Sequence, residues 1–202
     1  MSALLSRLQV AGLVLILMGG VLVGPFCLYQ RLMPSVPDAL LGMGGDFTLQ
    51  SAKGPVSLSD FRGKVVLLYF GYTHCPDACP MALGVMARAL NMVSRPWRER
   101  VAGLFISVDP ARDTPKLLRD YVRFFDRRIV GLTGAPQKLR EVAHRWRADF
   151  SLPANPGDHY AVEHSTFIYL VNADGQVVSL FDERTAPEEM AMAMQRWLWR
   201  VQ

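Results

Sequence analysis

The chain has 202 residues, half of them hydrophobic, and a formal net charge of +4. It is long enough for a membrane or targeting segment plus one domain with a real core. Beyond Arg31, 20 Lys and Arg face 18 Asp and Glu, interleaved as in RPWRER and RFFDRR, so the basic balance excludes a nucleic-acid surface.

The apolar excess is concentrated in Leu8 to Tyr29, which carries no charged side chain and is long enough to cross a bilayer. Arg7 would also suit the n-region of a cleaved signal peptide, but the run is long for an h-region and no A-x-A-like site follows. A lipoprotein reading of Cys27 meets the bulky Phe26 where a small residue should stand. The expectation is an uncleaved single-pass anchor over 1–31 and a tether over 32–45. The domain, 46–202, then lies outside the cytoplasm, on the periplasmic side of an inner membrane, where disulfides can persist.

After the Pro- and Gly-rich tether, a short alternating segment around Phe47 to Leu49 predicts an opening hairpin. KVVLLYFGY, from Lys64, reads as a fully buried strand, followed by a helix from Pro80 to about Val93. VAGLFISVDP is a second buried strand. A helix over Thr114 to Phe125 follows, capped by Asp113 or Thr114 with Pro115 in its first turn. IVGLTG is a short third strand, and Pro136 to about Asp149 another helix. Beyond the loop SLPANPGDHY, two strands flank Asp174 and Gly175 as a hairpin, and a helix from Pro187 to Val201 closes the chain. This order predicts an α/β fold, a three-layer sandwich on a mixed sheet with thioredoxin-like connectivity.

The stretch YFGYTHCPDACP puts Cys75 and Cys79 at the carboxyl end of the first buried strand, where open α/β sheets place their sites. A helix starting at Pro80 makes Cys79 its N-cap. Unpaired N–H groups and the helix dipole then lower the thiol pKa of Cys79, and in part that of Cys75. Ionised thiolates are nucleophiles and soft metal ligands, so a redox couple and a metal site both fit. A structural bridge gains little from so short a loop. The spacing is not the C-x-x-C of thioredoxins, and no proline stands where a peroxidatic site requires one.

Two sulfurs leave a metal under-coordinated, and the candidate third donors are His74, His144, His159 and His164. His144 falls within a helix and His74 adjoins Cys75. His164 opens the strand HSTFIYLV, where a thioredoxin-like fold brings a loop opposite the cysteine turn; a satisfied histidine at a strand edge is the bland alternative. Met81, Met86 and Met92, and likewise Met190, Met192 and Met194, read as gap-fillers rather than copper ligands.

With GYTHCPDACP, SVDPARDTP and YAVEHSTFIYLVNADG in this order, the chain from about Asp46 onward resembles the Sco/SenC family of membrane-anchored copper chaperones. The resemblance implies copper, Cu(I) or Cu(II), held by Cys75, Cys79 and His164, with Cys75 and Cys79 also able to form a redox disulfide. It implies delivery to cytochrome c oxidase, most directly the dinuclear copper centre of subunit II, with a copper donor or thioredoxin-like reductant as further partners. Such a protein is not an enzyme, although a thiol-disulfide reductase acting on the subunit II cysteines, or a tethered redox or copper sensor, would use the same thiols. The chain has Glu163 where the family pattern commonly carries Asp. Asp77, Asp109 and Asp113 match family positions but read as turn formers and caps rather than ligands.

Overall fold

The computed structural model describes residues 35–153 and 160–201. The expected anchor falls in 1–34, outside the described residues. Among the described residues no helix is long and apolar enough to cross a membrane. Residues from Ser35 onward form one compact unit with its own core.

The opening hairpin pairs β1 (Thr48–Ser51) with β2 (Gly54–Ser57). The central sheet then takes β3 (Val65–Gly71), β4 (Val101–Ser107), β5 (Ile129–Leu132), β8 (Ile168–Val171) and β9 (Val177–Phe181) in the order β5-β4-β3-β8-β9. The first three strands run parallel, and β8 and β9 are antiparallel additions, so the sheet is mixed as expected. Every residue of β3 and β4 is buried, because helices and loops cover both faces.

The helices are α1 (Ala78–Met92), α2 (Pro115–Phe125), α3 (Pro136–Arg145) and α4 (Pro187–Leu198). On one face Tyr69 stacks on Phe105, which meets Tyr121 of α2. On the other Phe70 and Tyr169 pack against Trp146. Met86, Met190 and Met194 fill this core, whereas Met81, Met92 and Met192 are exposed.

The closing helix ends at Leu198 with a 3-10 turn to Val201, and three further element ends differ from expectation in ways that bear on the site or its surroundings. Helix α1 begins at Ala78, not Pro80, and Asp77 rather than Cys79 precedes it. Proline is tolerated in this first turn because those N–H groups have no partner within the helix. Helix α3 stops at Arg145, where Arg147 adopts a left-handed φ of 51° and Ala148 N–H donates to the Ala143 carbonyl, a Schellman-type closure. The strand expected from His164 is divided: β7 (Glu163–His164) pairs with β6 (Phe150–Ser151) in a separate ribbon, and the main-sheet strand starts at Ile168.

Gly71 closes β3 under the cysteine helix. A Cβ at this position would lie 2.7 Å from Cys79 Sγ and 2.9 Å from the Phe105 ring, so only glycine lets the sulfur sit over the strand end. Gly71→Ala should destabilise the reduced protein by about 1–3 kcal/mol through overpacking. Thermal unfolding should show a midpoint several degrees lower, and an unchanged midpoint would mean that the helix shifts freely.

Candidate metal centre

Cys75 lies in the turn after β3, Cys79 in the first turn of α1, and His164 on β7; the three share no element. Their Sγ, Sγ and imidazole N atoms nevertheless all lie within 4.8 Å of one another. Both cysteines are free thiols, Cys79 fully buried and Cys75 half-buried. His164 Nε2 is 3.5 Å from Cys79 Sγ.

The imidazole is oriented from both sides. Its Nδ1 lies 2.9 Å from the Ser165 carbonyl oxygen, which can only accept, so Nδ1 carries the proton. In the neutral ring Nε2 then presents its lone pair to the two sulfurs, the arrangement a metal-ligating histidine needs. The rings of Tyr69 and Tyr72 meet the imidazole edge-on at 6.0 and 5.7 Å.

The two thiols are unequal, and in the opposite sense to the sequence expectation. The N–H of Cys79, one of the unpaired donors at the start of α1, points at Cys75 Sγ over 3.4 Å. The cap-like negative charge is therefore favoured on Cys75. The hydrogen bond from the Cys79 thiol, opposed by partial burial and reinforced by the Cys79 N–H, holds the Cys75 thiol well below the ordinary range. The same bond to Cys75, together with burial, pushes Cys79 up. The Tyr72 N–H, 3.5 Å from Cys79 Sγ, offsets only part of this.

His74 turns away, with Nδ1 3.1 Å from the Thr73 hydroxyl and 3.8 Å from Asp113. His144 is exposed on α3, and His159 lies outside the described residues. Among the described residues no fourth His, Cys, Asp or Glu joins the three donors.

Asp109 and Asp113 are fully buried and do more than turn the chain. Asp113 accepts from the Thr73 N–H at 3.0 Å, the Thr73 hydroxyl at 2.5 Å and the Ser107 hydroxyl at 2.6 Å. It therefore ties the segment leading to Cys75 to the end of β4, while Thr114 caps α2 through the Leu117 N–H. Asp109 accepts from the Tyr160 hydroxyl at 2.6 Å and from Arg112 Nε at 2.5 Å. Arg112 donates on to the Tyr160 carbonyl at 3.0 Å and lies 3.4 Å over the Tyr160 ring. The sequence alone does not single out Thr73, Arg112 and Tyr160, because no local pattern marks residues that meet only in the fold.

The SCO1/SenC family model matches residues 38–199. The chain belongs to the SCO1/SenC family. Protein sco1 of Schizosaccharomyces pombe is 38% identical over 156 residues, which cover 75% of this chain and 59% of that protein. This SCO1/SenC chain thus spans little more than half the length of that relative. The SCO2-like protein RC0895 of Rickettsia conorii is 31% identical over 190 residues, covering 87% of this chain and 92% of the relative. Bradyrhizobium japonicum ScoI, solved with copper bound, superposes with a TM-score of 0.70 at 36% identity, over 77% of this chain and 99% of that one. That solved chain consists of little beyond the matched domain, so in that protein the domain folds on its own.

The thiol inequality has a kinetic consequence. A lowered Cys75 pKa means that its thiolate persists as pH falls below the ordinary thiol range, near ~8.5. Reduced metal-free protein treated with iodoacetamide at about pH 6.5 should be alkylated at Cys75 first, by at least tenfold over Cys79, as read by peptide mass spectrometry. Preferential labelling of Cys79 would reverse the assignment.

Proposed function

We propose that this domain binds copper through Cys75, Cys79 and His164 and passes it, as cargo, to cytochrome c oxidase, most directly to the dinuclear copper centre of subunit II. The observation that carries this reading is the convergence of two sulfurs and one correctly protonated imidazole within 4.8 Å from three separate elements. Soft thiolates suit Cu(I), and an imidazole extends the set toward Cu(II). A structural zinc would draw a fourth protein donor, whereas a three-donor set leaves room for an acceptor's ligand to enter. The copper-bound state of B. japonicum ScoI supports the metal.

In this reading Leu8 to Tyr29 is a single membrane span, 32–45 a tether, and the domain beyond it works on the periplasmic side of the inner membrane. The lowered Cys75 pKa also favours thiol exchange, so a reductase acting on the oxidase cysteines is the second reading.

His164→Ala separates the two. Losing one of three ligands should weaken Cu(II) binding at least a hundredfold and change its sulfur-to-copper charge-transfer band, with a smaller loss for Cu(I). Disulfide reduction should stay within about threefold of wild type, since it depends on thiolate character and access. In cells lacking the wild-type gene the variant should fail to restore oxidase assembly; restored assembly without copper binding would favour the reductase.

The span is tested separately. Full-length protein should remain with membranes after alkaline carbonate washing, and release of a shortened soluble form would remove the anchor from the account.

A further inference from the structure

The parallel strands give the domain two ends. Cys75 follows the carboxyl end of β3, whereas Lys64, Arg100 and the pair Arg127–Arg128 directly precede β3, β4 and β5 at the other, about 20 Å away along a seven-residue strand. In the sequence, RFFDRR looks internally neutralised. The fold neutralises it only in part: Asp126 is committed to Arg128, through contacts of 2.6 and 2.9 Å, and Arg128 is further held by the Leu90 carbonyl and Asn91. Arg119 pairs with Asp120. Among the described residues this leaves Lys53, Arg123 and Arg127 without an acidic partner, around a cleft of about 210 Å³.

Beside them Phe124 is 86% exposed, its ring edge-on to Phe125 at 5.3 Å. Phe125, Arg123 and Arg127 also line the neighbouring cleft, whose acids are Asp126 and the exposed Glu99. An exposed phenylalanine amid unpaired cations is the composition of a membrane-surface contact, with the ring entering the headgroup region and the cations meeting phosphate.

The path of the chain favours a lipid surface over an acidic protein. Strand β8 runs antiparallel to β3 with Val171 opposite Val66, so the β8–β9 turn at Gly175 lies at the same basic end. Val36 and Leu40 line a cleft with Gly175 and Val177, and the chain therefore enters the domain at this end. Ser35 is only six residues beyond Tyr29, at most about 20 Å of extended chain.

We propose that the basic end formed by Lys53, Arg123, Arg127 and Phe124 docks on anionic phospholipid headgroups, which holds the cysteine turn at the end of the domain facing away from the membrane. This deepens the reading of a membrane-anchored copper carrier. It is tested without the anchor, so it stands or falls separately from the carbonate experiment.

The domain from Ser35 to Gln202 is sedimented with phosphatidylcholine vesicles, with or without one third phosphatidylglycerol, at low and high salt. It should bind the anionic vesicles and not the neutral ones, with binding lost at high salt. Arg123→Gln with Arg127→Gln should weaken binding about 25-fold, at about fivefold per basic residue. Phe124→Ser should weaken it while leaving the salt dependence intact. Copper binding should be unchanged in all three substitutions, since they lie at the far end, and this also reports correct folding. Equal binding to neutral vesicles, no binding to anionic vesicles at low salt, or insensitivity to the substitutions would overturn the proposal. So would displacement by inorganic phosphate beyond that by chloride of equal ionic strength, which would make the cleft a site for free phosphate.

Discussion

Two buried carboxylates four residues apart hold the candidate metal centre together. Asp113 fixes Thr73, two residues before Cys75, and Asp109 with Arg112 fixes Tyr160, four residues before His164. The donors come from segments nearly ninety residues apart, and neither the cysteine turn nor the short β6–β7 ribbon has enough backbone pairing to place them alone. A hydrogen bond to a charged group contributes about 1.5–3 kcal/mol, and leaving a buried charge unpaired costs about 3–5 kcal/mol. The bracket at 109–113 is therefore strong enough to outweigh the conformational entropy of the few loop residues it orders, at about 1–2 kcal/mol each.

Within this bracket the three donors are prepared differently. Cys79 is set deep, over Gly71 and away from water; Cys75 is more open and accepts the helix N–H; His164 is turned by the Ser165 carbonyl so that its free nitrogen faces inward. One buried thiol, one more accessible thiol that ionises readily and one imidazole with its free nitrogen turned inward make a site that can receive a soft cation from one side. The same inequality suits thiol exchange, in which an accessible thiolate attacks and a buried partner resolves. Copper binding and thiol exchange would thus draw on one geometry.

Much of the fold is legible in the sequence because its signals are local. KVVLLYFGY and VAGLFISVDP are unbroken apolar runs, and their β-branched and aromatic content fits central strands. Thr114-Pro115 marks a helix start that the structure bears out. Pro80 misleads because proline is acceptable throughout the first turn of a helix and not at one position only, and the error carries over to the thiols: with Ala78 as the first helical residue, the free N–H groups serve Cys75 instead of Cys79. The meeting of His164 with the cysteines is expected from strand order, but its position on a separate ribbon is not. The bracket itself is invisible in the sequence, since Asp in loops is ordinarily solvent-facing and only the packing of 109–113 between two distant segments buries Asp109 and Asp113.

In the proposed site two sulfurs and one imidazole, and no other protein donors, hold the copper. X-ray absorption of the copper-loaded domain counts them directly. The fine structure of the Cu(I) and Cu(II) forms should require two sulfur scatterers in both, with one imidazole, recognised by its multiple scattering, in Cu(II). A Cu(II) shell lacking sulfur, or one needing two imidazoles, would contradict the assignment of Cys75, Cys79 and His164.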